Sequence, residues 1–366
     1  MASKTQCAIL TGLLVATDLA LAGAPPYRLE LLEDPAGCQT YSFLSELDEW
    51  GHALGVVTCD AFLSQGGVVW TREGLVELPS LGGSTTVPAG INAKGQVVGF
   101  AETPEIYADD VYVVRPFLWD GGRLRELGTL GGRVGAALAI NARGTIVGAC
   151  QPTLENPVLG RVPVRACVWE GGDVRDLGDL GGPEAYAYDL NDRGWIVGSA
   201  DTAEPLGSSF VHHAFLNDGH TMHDLGELGG VFSLAVAVNE HGDAVGWSLT
   251  GDTDPNGHTS RRAFLWKDGV LQELESLGGP YSEAADINDR GQIVGWSWVA
   301  TPNGTFRSRA VLWNRGTITD LNDTVEDRQG WSLTETTAID DRGWVLANAY
   351  RDWEWRMALL IPVASE

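Results

Sequence analysis

A tetrad of Asn or Asp, two variable residues and Gly recurs along this chain. It begins at Asp48, Asn92, Asn141, Asn191, Asn239, Asn288 and Asp340. Successive glycines of the tetrad lie 44, 49, 50, 48, 49 and 52 residues apart. A repeat of that length is too small to enclose a core of its own, so each copy must bury its apolar face against its neighbours. This constrains the fold far more than the chemistry, because most polar residues fall at equivalent positions in every copy.

Within a copy the pattern is that of four short β runs. The copy around Asn288 reads Ser282–Ile287, then Gly291-Gln-Ile-Val-Gly295-Trp-Ser, a polar stretch, Arg309-Ala-Val-Leu-Trp313, and Gly316–Leu321. No sustained 3.6-residue apolar period occurs after the first residues, so an all-β fold almost without helix is predicted. The Asx side chain can accept from backbone two residues on, and the glycine accepts positive φ, so together they close a hairpin. The next strand carries Gly-x-apolar-apolar-Gly, as in Gly95–Gly99, with Ala347 replacing the last glycine in the seventh copy. A glycine inside a strand marks close approach of another backbone. Trp70, Trp119, Trp169, Trp266 and Trp313 end the third strand, and Leu-Gly-Gly at Leu81, Leu130, Leu180, Leu228 and Leu277 separates the units.

Charges repeat as well. The third strand begins with Arg115, Arg165, His213, Arg262, Arg309 and Arg356. The fourth carries Glu77, Glu126, Asp176, Asp224, Glu273, Asp320 and, at the N-terminal end, Glu30. Diagonal pairs across a hairpin are the expectation, each contributing about 0.5 kcal/mol.

The repeat is split across the chain ends. Tyr27–Leu32 matches a fourth strand, whereas the copy beginning at Asp340 supplies only its remaining strands. An N-terminal strand completing the C-terminal unit predicts a closed, seven-bladed β-propeller of four-stranded blades. The Ala-rich strand, as in Ala136–Ile140, is expected innermost. The polar stretches near 102–114, 151–164, 201–212, 249–261 and 299–308 are expected as loops gathered on one face, where binding usually resides.

Residues 1–22 resemble a secretory signal, with Lys4, an apolar run from Cys7 to Val15 and Ala20-Leu21-Ala22 before the cut. Residues 23–366 are then one propeller domain, secreted or periplasmic. The net charge of −25 and only three lysines repel phosphate backbones and anionic lipid, so nucleic acid and membrane insertion are excluded as roles. Four of the five cysteines follow the signal and permit two bridges in three connectivities; the pairing of sequence neighbours, Cys38–Cys59 and Cys150–Cys167, is the expected one.

Taken together, Ile91–Gly99, Asp176–Gly182, Asp224–Gly230 and the triplet His213-Ala214-Phe215 resemble the extracellular repeat proteins of the HAF family. The resemblance covers most of residues 27–361. It implies an exported bacterial protein of repeated β units and brings no catalytic residues with it.

No nucleophile elbow, metalloprotease, phosphate-loop or dinucleotide motif is present. His212, His213, His220 and His223 crowd one hairpin, but on different faces. Asp252, Asp254 and Asn256 match the first half of a calcium loop, though Ala263 stands where its bidentate acid belongs. Calcium there is the one cofactor to consider. Trp296, Trp298, Trp331, Trp353 and Trp355 fall outside the repeat's tryptophan position and are candidates for an exposed carbohydrate platform. The expected function is a non-enzymatic scaffold binding carbohydrate, surface polymer or protein. A lyase or glycoside hydrolase working at the channel mouth is the alternative.

Overall fold

A computed structural model describes residues 26–35, 38–40, 46–59, 64–108, 111–153, 163–207 and 209–363. The expected signal at 1–22 lies outside them. The described residues are all β, apart from one 3-10 turn at Leu321–Asp323. We number the repeat units 1 to 7 after their turns, Asp48 to Asp340.

In unit 4, Gly181–Leu190 pairs antiparallel with Ile196–Leu206, which pairs with Ser209–Asn217, which pairs with Met222–Gly226. Sheets of the same order start at Thr86–Ile91, Gly131–Ile140, Gly229–Val238 and Ser282–Ile287. In unit 7, Ser332–Ile339, Val345–Arg351 and Glu354–Pro362 are followed in the sheet by Tyr27–Leu31. That N-terminal strand runs antiparallel, with Tyr27 opposite Pro362 and Leu31 opposite Ala358. Tyr27 and Leu29 point into the core of the sheet, whereas Arg28 and Glu30 face outward. Val68 and Trp70 of unit 1 share an apolar cluster with Leu346 and Met357 of unit 7, so the first and last units pack together.

Among the described residues the polar stretches expected as loops are largely strand; 154–162, within the stretch 151–164, lie outside them. Pro205 pairs with Phe210 and Thr253 with Thr259, so the arms between second and third strands are paired hairpins extending from one face. Pairing satisfies backbone groups that a loop would leave to water.

The strand glycines have a steric cause. A Cβ on Gly246 would lie 2.0 Å from the carbonyl oxygen of Leu234, and one on Gly198 would meet that of Tyr186. Unit 7 carries Ala347 at this position, opposite Thr336. We expect Gly246→Ala to cost about 2–3 kcal/mol in urea unfolding, since backbone must move. A loss below about 0.5 kcal/mol would show that the unit 5 bulge yields as unit 7 does.

Hydrogen bonds tie consecutive units. The Nδ2 of Asn92 donates to the carbonyl of Asn141 (3.0 Å), Asn141 to Asn191 (3.2 Å), and Asn191 to Asn239 (2.9 Å). Asn239 continues to Asn288 (3.2 Å) and Asn288 to Asp340 (2.9 Å). A second series uses acids one residue further on. Asp192, Glu240, Asp289 and Asp341 each accept the backbone N–H of the preceding unit. Part of the chain's acidity is therefore joinery between units.

Five of the expected cross-hairpin pairs form: Arg115–Glu126, Arg165–Asp176, His213–Asp224, Arg262–Glu273 and Arg309–Asp320. Arg356 instead bonds Asp34 and Glu354, and Glu30 bonds Arg28. Register explains the difference. Ala358, two residues past Arg356, faces Leu31, whereas Phe117, two past Arg115, faces Glu126. Cys150 and Cys167 are bridged, at a Cα separation of 6.0 Å. The Cys59 side chain lies outside the described residues, and with it the Cys38–Cys59 pairing.

Candidate functional site

Every Asx turn has one geometry. In unit 4 the Oδ1 of Asn191 accepts the N–H of Arg193 and of Trp195, and Gly194 adopts φ of +87°. In unit 1 Asp48 does the same for Trp50 and His52. The seven turns line one cavity of about 240 Å³ at one end of the inner strands. A second cavity, of about 340 Å³, opens beyond it toward the hairpin arms. Glu46, Asp189 and Asp286 line both, so these carboxylates stand at the waist between the two.

The three acids occupy one repeat position, two residues before the turn. The other units place Gly90, Ala139, Ala237 and Ala338 there. Asp189 bridges units: its Oδ1 accepts from Leu190 (2.7 Å) and its Oδ2 from Val238 of unit 5 (2.8 Å). Asp286 does likewise with Ile287 and with Ile339 of unit 7, both at 2.7 Å. Burial pushes Asp189 up to about 7, opposed by these backbone donors and reinforced by repulsion from Asp286. Burial pushes Asp286 up to about 6. Glu46 is held well above the carboxylate range by burial and by repulsion from Asp286 and Asp189. The signal for them in the sequence is a break in repeat chemistry at that position, where the other four units carry Gly or Ala.

The larger cavity has aromatic walls. Tyr188, Trp247 and Trp296 line it together with Glu283 and Glu335. Arg261 lies over Trp247 (4.7 Å), Trp296 (5.5 Å) and Tyr281 (5.9 Å), and its guanidinium bonds Glu283 at 2.5 Å. Burial raises both Glu283 and Glu335 above the usual range. Ring contacts continue in both directions. Trp247 stacks on Phe232, Phe232 on His212, and Tyr186 meets His212 edge-on. On the other side, Trp298 contacts Tyr281 and stacks on Phe306. The result is an arc of half-buried rings spanning units 4 to 6.

The five tryptophans proposed as a platform do not converge. Trp296 lines the cavity and Trp298 lies on the arc. Trp331 is 1% exposed and sits in the unit 7 core, so an exposed role for it is wrong; the Arg351 guanidinium covers its ring at 4.3 Å. Trp353 is 89% exposed at the turn after Arg351, and Trp355 packs against Tyr350. The Asp254 loop is a further Asx turn. Its Oδ1 accepts from Asn256 and His258, its Oδ2 lies 3.4 Å from His258 Nδ1, and Tyr281 donates to it at 3.2 Å. Its oxygens are thus directed at protein donors and not gathered with Asp252 and Asn256 around one point. Among the described residues no group of three or more His, Cys, Asp and Glu is disposed to hold a metal ion. The crowded histidines disperse too: His212 bonds Asp201, His213 bonds Asp224, and His223 bonds Asp218.

Sheets arranged about a shared axial channel define a β-propeller. No protein-family model matches the chain, and no curated protein matches it. Among solved structures it is similar to the β-propeller domain of the Trilobed protease from Pyrococcus furiosus, described as having an open velcro topology. That likeness has 10% identity and a TM-score of 0.59, over 90% of this chain and 94% of that one. It is also similar to Pyrococcus horikoshii acylaminoacyl peptidase, with 13% identity and a TM-score of 0.53, over 90% of this chain but 53% of that one. Likenesses at these identities show the fold alone.

Proposed function

We propose that this chain is a closed seven-bladed propeller that binds a carbohydrate or surface polymer on its hairpin face, as a non-enzymatic scaffold. The observation that carries this reading is the arc of half-buried rings in units 4 to 6, running beside a cavity of about 340 Å³ with carboxylates in its wall. Aromatic faces match the apolar faces of sugar rings, and carboxylates accept from hydroxyls. The pairing of Tyr27–Leu31 with Glu354–Pro362 supports closure. The HAF-like repeats and the signal-like residues 1–22 support export by a bacterium.

A glycan and polysaccharide array, run with calcium and with chelator, tests the reading. Binding should survive chelation and fall at least tenfold in Trp247→Ala and Trp298→Ala, each losing a stacking face worth about 1.5 kcal/mol or more. Trp353→Ala should bind unchanged. A blank array would move the assignment to a protein partner.

One observation favours the alternative, a lyase or glycoside hydrolase: three carboxylates break the repeat together at the channel waist. Against it, Asp189 and Asp286 have both oxygens engaged by backbone N–H groups. Turnover of any bound glycan, abolished in Glu46→Gln, would select that alternative.

A further inference from the structure

The ring-lined cavity also defines the charge its ligand should carry. We propose that it takes a cationic, amine-bearing sugar, an oligomer of unacetylated amino sugar, whose ammonium groups meet the carboxylates while its rings lie on Trp247 and Trp296. This rests on the carbohydrate reading above and narrows it.

Three observations converge. Five acids line the cavity: Glu46, Asp189, Asp286, Glu283 and Glu335. Among the described residues lining it, none is basic. Arg261 is not among the lining residues and its salt bridge goes to Glu283, so the other four acids have no basic partner in the lining.

The wall already holds a cation. The Arg261 guanidinium is seated over Trp247 and Trp296 and bonded to Glu283, all three of which face the cavity. Aromatic face plus carboxylate is the arrangement that binds organic cations. The protein's own side chain thus displays, on the same residues, the chemistry that a ligand would use.

The spread of the charges fits an organic cation and not one metal ion. The described acids form no group close enough to chelate. Charges distributed around about 340 Å³ are instead matched by a ligand of similar breadth bearing more than one amine. All five carboxyls are raised in pKa, with burial the main cause in each. Repulsion adds to it at the waist: Asp286 and Asp189 act on Glu46, Asp286 acts on Asp189, and Asp341 and Asp340 act on Asp286. Binding a cation relieves that repulsion and draws protons off, so affinity should rise with pH.

Isothermal titration of the full chain with glucosamine oligomers, the same oligomers N-acetylated, and spermidine tests this. The amine-bearing oligomers should bind and the acetylated ones bind at least tenfold more weakly. Affinity should increase about tenfold between pH 5 and pH 6.5, where the sugar amine stays largely protonated. Glu46→Gln and Glu283→Gln should each weaken binding about tenfold, with circular dichroism confirming the fold. Equal affinity for acetylated and free oligomers overturns the cationic assignment and leaves the carbohydrate reading standing. Spermidine binding with neither oligomer bound keeps the cation chemistry and removes the sugar. No binding by any amine overturns the inference, and the pH profile of the unmodified protein decides it even if a variant fails to fold.

Discussion

Replacing Tyr27 and Leu29 together by alanine is expected to cost about 5 kcal/mol and to make the chain associate at micromolar concentration. Both side chains enter the unit 7 core, among Leu333, Val345 and Leu360, from a strand more than 300 residues away in sequence. Truncating a buried Leu costs about 2–5 kcal/mol and a large aromatic about 3–5. The double variant also loosens the partner that, among the described residues, covers one edge of Glu354–Pro362, and an exposed edge strand is a template for intermolecular pairing. Arg28→Ala and Glu30→Ala are the controls, because those side chains face out and form a surface ion pair worth about 0.5 kcal/mol.

Tyr27 allows a sharper comparison. Its hydroxyl is buried without a hydrogen-bond partner among the described residues, and burial raises its pKa. Tyr27→Phe should therefore be neutral or stabilising by about 1 kcal/mol, since the polar atom is removed and the ring retained. Urea unfolding and gel filtration of the four variants read these effects. If the double variant loses less than about 1 kcal/mol and stays monomeric, packing between units 1 and 7 holds the structure together and the strand is an accessory.

The repeat made the architecture legible. Asx and Gly fix a turn by local hydrogen bonds and positive φ, and both can be read from residue type. The glycine at 198 likewise announced a close backbone approach. What remained hidden depends on neighbours a full period away. Asn stands at the five central turns because only an amide both accepts within its own turn and donates to the next. Asp48 and Asp340 lack that N–H, and their second oxygens turn to His52 and Arg342 instead. That difference was present in the sequence, but its meaning lay in the ring geometry. The polar arms were misread as loops because their composition is that of loops; strand pairing extended through them all the same. The waist acids were hidden for another reason. No periodicity announces Glu46, Asp189 and Asp286, and only the tertiary packing that sets units 1, 4 and 6 along the same two cavities brings them together.

Those acids lead to the second large effect: between pH 4 and pH 7.5 they should withdraw roughly 3–4 kcal/mol of stability. An Asp in the unfolded chain titrates near 3.9, whereas Asp189 titrates at about 7 and Asp286 at about 6 in the folded protein. Below about pH 4 both states are protonated and neither group costs anything. As pH rises, the unfolded chain releases its protons first and gains the advantage, and the loss is complete once the folded groups have ionised. At about 1.4 kcal/mol per unit, shifts of about three and two units set an upper limit near 7 kcal/mol; both carboxylates line open cavities, and solvent screening there is expected to reduce this to roughly half. Acids such as Asp224, whose pKa is lowered by its His213 partner, act in the opposite sense and lose their contribution as pH falls. The decisive quantity is therefore a difference of slopes. Urea unfolding free energy should fall from pH 5 to pH 7.5 more steeply in the unmodified chain than in Asp189→Asn. The absolute stability of that variant is less informative, because the amide has one acceptor for two backbone donors. Should the two slopes coincide, Asp189 is ionised throughout, and the waist is wet enough to solvate a full charge. An amine bound in the cavity should flatten the slope of the unmodified chain, since the same carboxylates would then ionise against a cation.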